Sequence, residues 1–105
     1  MSEQLKPIKS LAGPMVATPA ALDTVGGWLN ALILFGRFFR GDFGLTEGED
    51  LESNHAAIRH ADGRMILASY DSNGDTVWII AAGYGLAEPG NPDAAYVTLL
   101  LPEEY

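Results

Sequence analysis

Glu52 and His55 stand three residues apart in a stretch of helical character, which sets a carboxylate and an imidazole on one helix face. Di-iron bundles use that spacing, but they need two such pairs and two further glutamates, and the chain has no second copy. With Asp50 nearby, His55 and Glu52 define the alternative enzymatic reading, a metal-dependent or hydrolytic activity. Other constellations fail on a missing residue. Asp71, Asn73 and Asp75 mimic the start of a calcium loop, yet Thr76 stands where a glycine is required and Ala82 where a bidentate glutamate is required. Gly83-Tyr84-Gly85 has no third glycine at dinucleotide-binding spacing and no Gly-Lys-Ser/Thr. Asn91-Pro92-Asp93 lacks the aromatic of a methyltransferase tetrapeptide. Ser53 and Ser69, paired with His55 or His60, sit in no nucleophile-elbow context. The chain contains no cysteine, so thiolate chemistry, thiolate metal sites and disulfides are excluded. These residues argue for a protein that is not an enzyme and that carries no cofactor and no metal.

The remaining chemistry is charge. Asp42, Glu47, Glu49, Asp50 and Glu52 crowd into eleven positions. Helix capping and the helix dipole account for acids at a helix start. A contact surface for a basic partner is the sharper alternative to that structural account.

The elements that position these groups can be traced along the chain. Residues 1–14, with Pro7, Gly13 and Pro14, read as a loose leader ahead of a single domain spanning 15–105. Met15-Val16-Ala17 could form an edge strand. Thr18-Pro19 is a helix start, a hydroxyl N-cap followed by proline at the first helical position, and this helix runs to Thr24 before Gly26-Gly27. A second helix starts at Trp28. Its stripe of Trp28, Leu32, Phe35 and Phe39, with Leu29 and Ile33 beside it, is apolar enough to suggest self-association. Gly41 stops it, with Arg37 and Arg40 in the last turn. Thr46-Glu47-Gly48-Glu49 matches a capping box for a third helix ending near His60, whose inner stripe would be Leu51, His55 and Ile58, with Asn54 adjacent. Arg64–Tyr70 and Thr76–Ala82 read as strands joined through Asn73-Gly74, a hairpin signal. A loop from Gly83 to Ala94 leads to a last strand, Tyr96–Leu101, ended by Pro102. The expected fold class is α+β: two to three helices packed on a three-stranded antiparallel meander.

Composition narrows the function. The chain has 105 residues, 48% hydrophobic and 19% charged, which suits one globular domain. Fourteen acids against six Lys and Arg give a formal charge of −8, and no Lys or Arg follows Arg64. Such a surface repels phosphate and disfavours direct nucleic-acid binding. The most apolar run, from Val25 to Gly36, is shorter than the ~20 residues of a spanning helix. With no convincing signal peptide, a cytoplasmic protein without membrane contact is expected.

Several of these segments together resemble a family of short proteins, mostly of unknown function, carried by bacterial plasmids, phages and other mobile elements. The resemblance runs from Val16-Ala17-Thr18-Pro19 through Arg37 and Gly41-Asp42-Phe43-Gly44, which stands for a usual Gly-Asp-Trp-Gly. It continues with Glu49-Asp50, Asn54 and Trp78-Ile79-Ile80, and closes on Thr98-Leu99-Leu100-Leu101-Pro102-Glu103-Glu104-Tyr105. The chain departs from the pattern at Phe38, where a histidine is usual, and at His55, where an aspartate is usual. The resemblance implies an accessory protein of a mobile element. A structural account of its central motif is also available: Gly41 ends a helix in a left-handed conformation, Asp42 binds nearby N–H groups and Phe43 anchors the loop in the core.

Charge and resemblance together lead to the expected function: a protein-binding inhibitor of a nucleic-acid-binding host defence complex, of the anti-CRISPR or anti-restriction type. Its contact residues would be Asp42, Glu47, Glu49, Asp50 and Glu52. The alternatives are the His55/Glu52 enzyme and a structural homodimer built on Trp28, Leu32, Phe35 and Phe39.

Overall fold

The computed structural model describes residues 15–86 and 95–105. Its elements are β1 (Met15–Ala17), α1 (Pro19–Val25), α2 (Trp28–Phe39), α3 (Gly48–His60), β2 (Ile66–Ser72), β3 (Asp75–Ala82) and β4 (Tyr96–Leu100), followed by a 3₁₀ turn over Pro102–Glu104. The fold is α+β. The leader expected over residues 1–14, and residues 87–94 of the expected loop, lie outside the described residues.

The expected three-stranded antiparallel meander is corrected to a four-stranded mixed sheet of order β1-β4-β3-β2. β2 and β3 pair antiparallel, as do β3 and β4, while β1 lies parallel to β4 with Val16 opposite Thr98. A parallel pair needs no tight turn, so nothing local in the sequence announces it. The hairpin turn is as read: Asn73 and Gly74 both take positive φ, 53° and 90°, between the paired residues Ser72 and Asp75.

Thr18 joins the two ends of the fold. Its hydroxyl oxygen accepts from the Ala21 N–H at 3.1 Å to cap α1, and its O–H donates to Glu104 Oε1 at 2.7 Å. Glu104 Oε1 also accepts from the Leu101 N–H at 2.8 Å, so the C-terminal turn is fastened to the first helix.

One face of the sheet carries Ile66, Ala68, Tyr70, Val77, Ile79, Ala81, Val97 and Leu99. They form a continuous core with Ala21 and Val25 of α1, Ala31, Leu34, Phe35 and Phe38 of α2, and Ala57 of α3. Phe38 touches Phe43 edge to face, with ring centroids 5.5 Å apart. Phe38 is therefore a core residue.

β2 is an edge strand, and its outward backbone groups need partners. Asn54 is buried on α3 and supplies both for Leu67: the Leu67 N–H donates to Asn54 Oδ1 at 3.0 Å, and Asn54 Nδ2 donates to the Leu67 carbonyl at 2.7 Å. Two residues on, the Ser69 N–H donates to Thr46 Oγ1 at 3.0 Å and the Ser69 carbonyl accepts from the Leu45 N–H at 2.7 Å. The expected capping box at Thr46 and Glu49 is corrected by this arrangement. Glu47 is the N-cap of α3, with no side-chain cap, because the Thr46 hydroxyl is taken by the strand. The first turn of α3 is exposed and can be solvated, whereas the half-buried Ser69 N–H is paired by the Thr46 hydroxyl.

Gly44 makes this approach possible. Its φ is +62°, and a Cβ there would collide with the Ser69 carbonyl oxygen and lie 2.6 Å from Tyr70 Cδ1. Removing the Asn54 amide would leave two backbone groups of Leu67 unpaired. Asn54→Ala is expected to lower the unfolding free energy by about 2–4 kcal/mol in urea titration, against less than about 0.5 kcal/mol for the exposed neighbour Ser53→Ala.

Candidate functional site

The α2–α3 connection places the first of the candidate acids. α2 ends in a Schellman motif: Gly41, with φ +85°, donates its N–H to the Phe38 carbonyl at 3.0 Å, and the Asp42 N–H reaches the Arg37 carbonyl at 2.9 Å. That turn brings the Asp42 carboxylate back onto Arg37. Arg37 Nε donates to Oδ2 at 2.7 Å and Nη2 to Oδ1 at 3.3 Å, while the Gly44 N–H donates to Oδ1 at 3.1 Å. The buried Tyr70 donates its hydroxyl proton to the Asp42 carbonyl at 2.7 Å, and the Arg37 guanidinium stacks 5.0 Å from the Tyr70 ring centroid. Burial pushes the Tyr70 hydroxyl far above its usual value, so it remains a donor. Asp42 is thus occupied inside the fold. Of the five acids, it is the one that closes a loop.

The other four point outward. α3 turns Asn54 and Ala57 into the core and half-buries Leu51, His55 and Ile58, which leaves Glu49, Asp50 and Glu52 exposed, with Glu47 at the N-cap. Among the described residues none of the four forms an ion pair or a side-chain hydrogen bond. Glu49 and Asp50 lie in the first turn, where the dipole favours them. Glu52 lies beyond that turn, so the dipole does not account for it.

Beside these acids is a pocket that local sequence spacing gives no sign of. Asp50, Ser53 and Asn54 of α3, Met65 and Leu67 at the start of the hairpin, and Trp78 of β3 enclose about 210 Å³. The Tyr105 ring meets Trp78 edge to face at 5.9 Å, and its hydroxyl donates to Met65 Sδ at 3.7 Å. The Asn54 amide is already spent on Leu67, so the chemistry left at the pocket is one carboxylate, one hydroxyl, an indole and a thioether. The signal available in sequence was weak: Trp78 on the second apolar face of a strand.

Glu52 and His55 share a shallow recess with Glu49, Ser53, Ala56 and Arg59. Among the described residues no three His, Asp or Glu side chains come together in a way that could hold a metal ion. Neither His55 nor His60 takes part in a hydrogen bond with a serine there. Glu52, His55 and Asp50 therefore do not converge as a ligand set.

The apolar stripe of α2 divides differently from the expectation. Phe35 is buried in the core and Phe39 packs half-buried against it, so Phe35 is withdrawn from the candidate self-association surface. Trp28 and Leu32 are exposed, together with Leu29 and Ile33.

Comparison of the chain with protein-family models, with curated proteins and with solved structures finds no match. Among the described residues no helix is long and apolar enough to cross a membrane.

Hydrogen bonding by Arg37 holds the Asp42 carboxyl below the usual carboxylate range, and the Gly44 N–H acts in the same direction. A depressed folded-state pKa contributes stability that is complete above the unfolded value of about 3.9 and is lost as pH falls through the folded value. Asp42→Asn is therefore expected to cost about 1 kcal/mol near neutral pH, since the pair is about one-third exposed. The gap from the native chain should close as urea titrations move below about pH 4. A gap that does not change with pH would remove the ion pair from the account.

Proposed function

We propose that this protein is a non-catalytic, acidic binding module of a mobile genetic element, which docks a basic protein through α3 and so inhibits a nucleic-acid-binding host defence complex. The observation that carries the reading is the outward row Glu47, Glu49, Asp50 and Glu52, without ion-pair partners among the described residues, on a chain of net charge −8. Carboxylates left free of internal partners keep their field for a partner. Their pull on a basic surface extends over a Debye length of about 8–10 Å and raises the association rate.

The adjoining pocket supplies an anchor. Asp50 and the Trp78 indole line the same 210 Å³ recess, which suits an arginine or lysine side chain: charge against the carboxylate, and stem or guanidinium on the ring. A polyanionic ligand is disfavoured here, because phosphate meets the like charge of Glu47, Glu49, Asp50 and Glu52.

The resemblance to mobile-element proteins supplies the biological context, and the charge supplies the chemistry. A surface of this kind competes with nucleic acid for the same basic groove, so its binding is sensitive to salt.

The test is capture of partners by the tagged full chain from a host lysate treated with nuclease, followed by direct affinity measurement on the enriched complex. One basic, nucleic-acid-handling complex is expected, lost at high salt. The triple reversal Glu47→Lys, Glu49→Lys and Glu52→Lys should weaken binding by at least ~100-fold while leaving the circular dichroism spectrum unchanged. Trp78→Ala should weaken it by about tenfold through the pocket alone. Binding that survives the triple reversal, or that is indifferent to salt, would overturn the proposal.

A further inference from the structure

α2 presents a second surface that the acidic reading does not use. Trp28, Leu29, Leu32 and Ile33 are 49, 75, 48 and 57% exposed, and they fall on one stripe that continues through Gly36 to Arg40. The opposite stripe, Ala31, Leu34, Phe35 and Phe38, is the one in the core. The exposed apolar residues are therefore not a loosely packed part of the interior. They form an outer face about 18 Å long on a well-seated helix.

We infer that this face is the interface of a homodimer in which two α2 helices cross antiparallel about a two-fold axis passing between Leu32 and Ile33. Three observations select a second copy of the chain as the occupant.

The first is area. Trp28, Leu29, Leu32 and Ile33 expose roughly 400 Å² of apolar surface per chain, so two copies cover about 800 Å². A homodimer interface is about 65% apolar, which scales this to roughly 1,200 Å² in total, the lower bound of a stable interface.

The second is shape. An antiparallel crossing centred between Leu32 and Ile33 sets Leu29 opposite Gly36 of the partner subunit. Gly36 is a notch in the face: a Cβ there would meet only Arg40 Nη1, at 3.7 Å. The most exposed leucine of one copy thus faces the one gap of the other, and the relation repeats itself across the axis, as a two-fold interface requires.

The third is charge. Residues 28–40 contain no acid in a chain of net charge −8. Like-charge repulsion between two copies is reduced where these faces meet. The antiparallel sense also separates the two Arg40 side chains and moves each toward the Trp28 end of the other helix, where a guanidinium can lie over the indole. A parallel crossing would bring the arginines together.

This inference is independent of the acidic face, and salt separates the two. Screening weakens attraction between α3 and a basic partner, whereas it relieves the residual repulsion between two acidic copies and strengthens the dimer.

The experiment is sedimentation equilibrium on the full chain from about 1 to 200 µM, at low and high sodium chloride. Twice the chain mass is expected, with the dimer tightening as salt rises and the melting temperature increasing with protein concentration. The double variant Leu29→Gln with Ile33→Gln changes only exposed positions and should weaken the dimer by at least ~30-fold. Gly36→Met should weaken it by about tenfold while keeping or raising the melting temperature at low concentration, because methionine is the better helix former. A monomeric mass throughout the concentration range overturns the inference. So does a dimer that neither variant affects.

Discussion

The outward edge of β2 is the constraint on which most of this small fold depends. An edge strand leaves a row of N–H and C=O groups that must be paired, hydrated or blocked. Here the pairing is done by two segments distant in sequence, the Asn54 amide and the 44–46 backbone with its threonine hydroxyl. For 44–46 to reach Ser69, the chain must leave α2 sharply, which the Schellman turn at Gly41 achieves, and must approach without a side chain at Gly44. The turn is held by Asp42, its carboxylate on Arg37 and its carbonyl on the Tyr70 hydroxyl. Phe43 then fills the space between the loop and Phe38. Each of these residues is needed because the one before it is in place.

That chain of dependence changes how the sequence motifs are understood. Arg37, Gly41-Asp42-Phe43-Gly44 and Asn54, singled out in the sequence as motif residues, all serve the closing of one strand. The segments at the two ends, Val16-Ala17-Thr18-Pro19 and Leu99 to Glu104, meet each other through the β1–β4 pairing and the Thr18–Glu104 hydrogen bond. Residues that hold one another in place in this way are explained by folding alone. The side chains that the fold does not use are the acids at the start of α3 and the outer stripe of α2, and both proposals rest on them.

Features carried by a few adjacent residues were legible in the sequence. Thr18-Pro19, Asn73-Gly74, the stop at Gly41 and the burial of Phe43 each follow from local backbone chemistry. Choices between competing partners were not. Thr46 has the spacing of a helix cap, and only the proximity of the Ser69 N–H, 23 residues away, diverts its hydroxyl. The phase of α2 was equally hidden. With Trp28, Leu29, Leu32, Ile33, Leu34, Phe35, Phe38 and Phe39 apolar, periodicity supports more than one inner face, and what buries Phe35 rather than Leu29 is the position of the sheet. The pocket at Asp50 needed Met65 and Trp78, which no local spacing connects to α3. The exposed acids were legible as a group, but the occupation of Asp42 by Arg37 depends on the geometry of the turn between them.

The two free surfaces fit one scheme. An acidic protein that self-associates meets less repulsion where its surface carries no acid, and α2 has none between Trp28 and Arg40. In the proposed dimer, the α3 carboxylates of both copies would stay outside the interface and double the charge presented to the proposed basic target. Two identical acidic faces related by a two-fold axis also convert the second contact with an extended basic groove into an intramolecular event, which multiplies affinity without any new contact type.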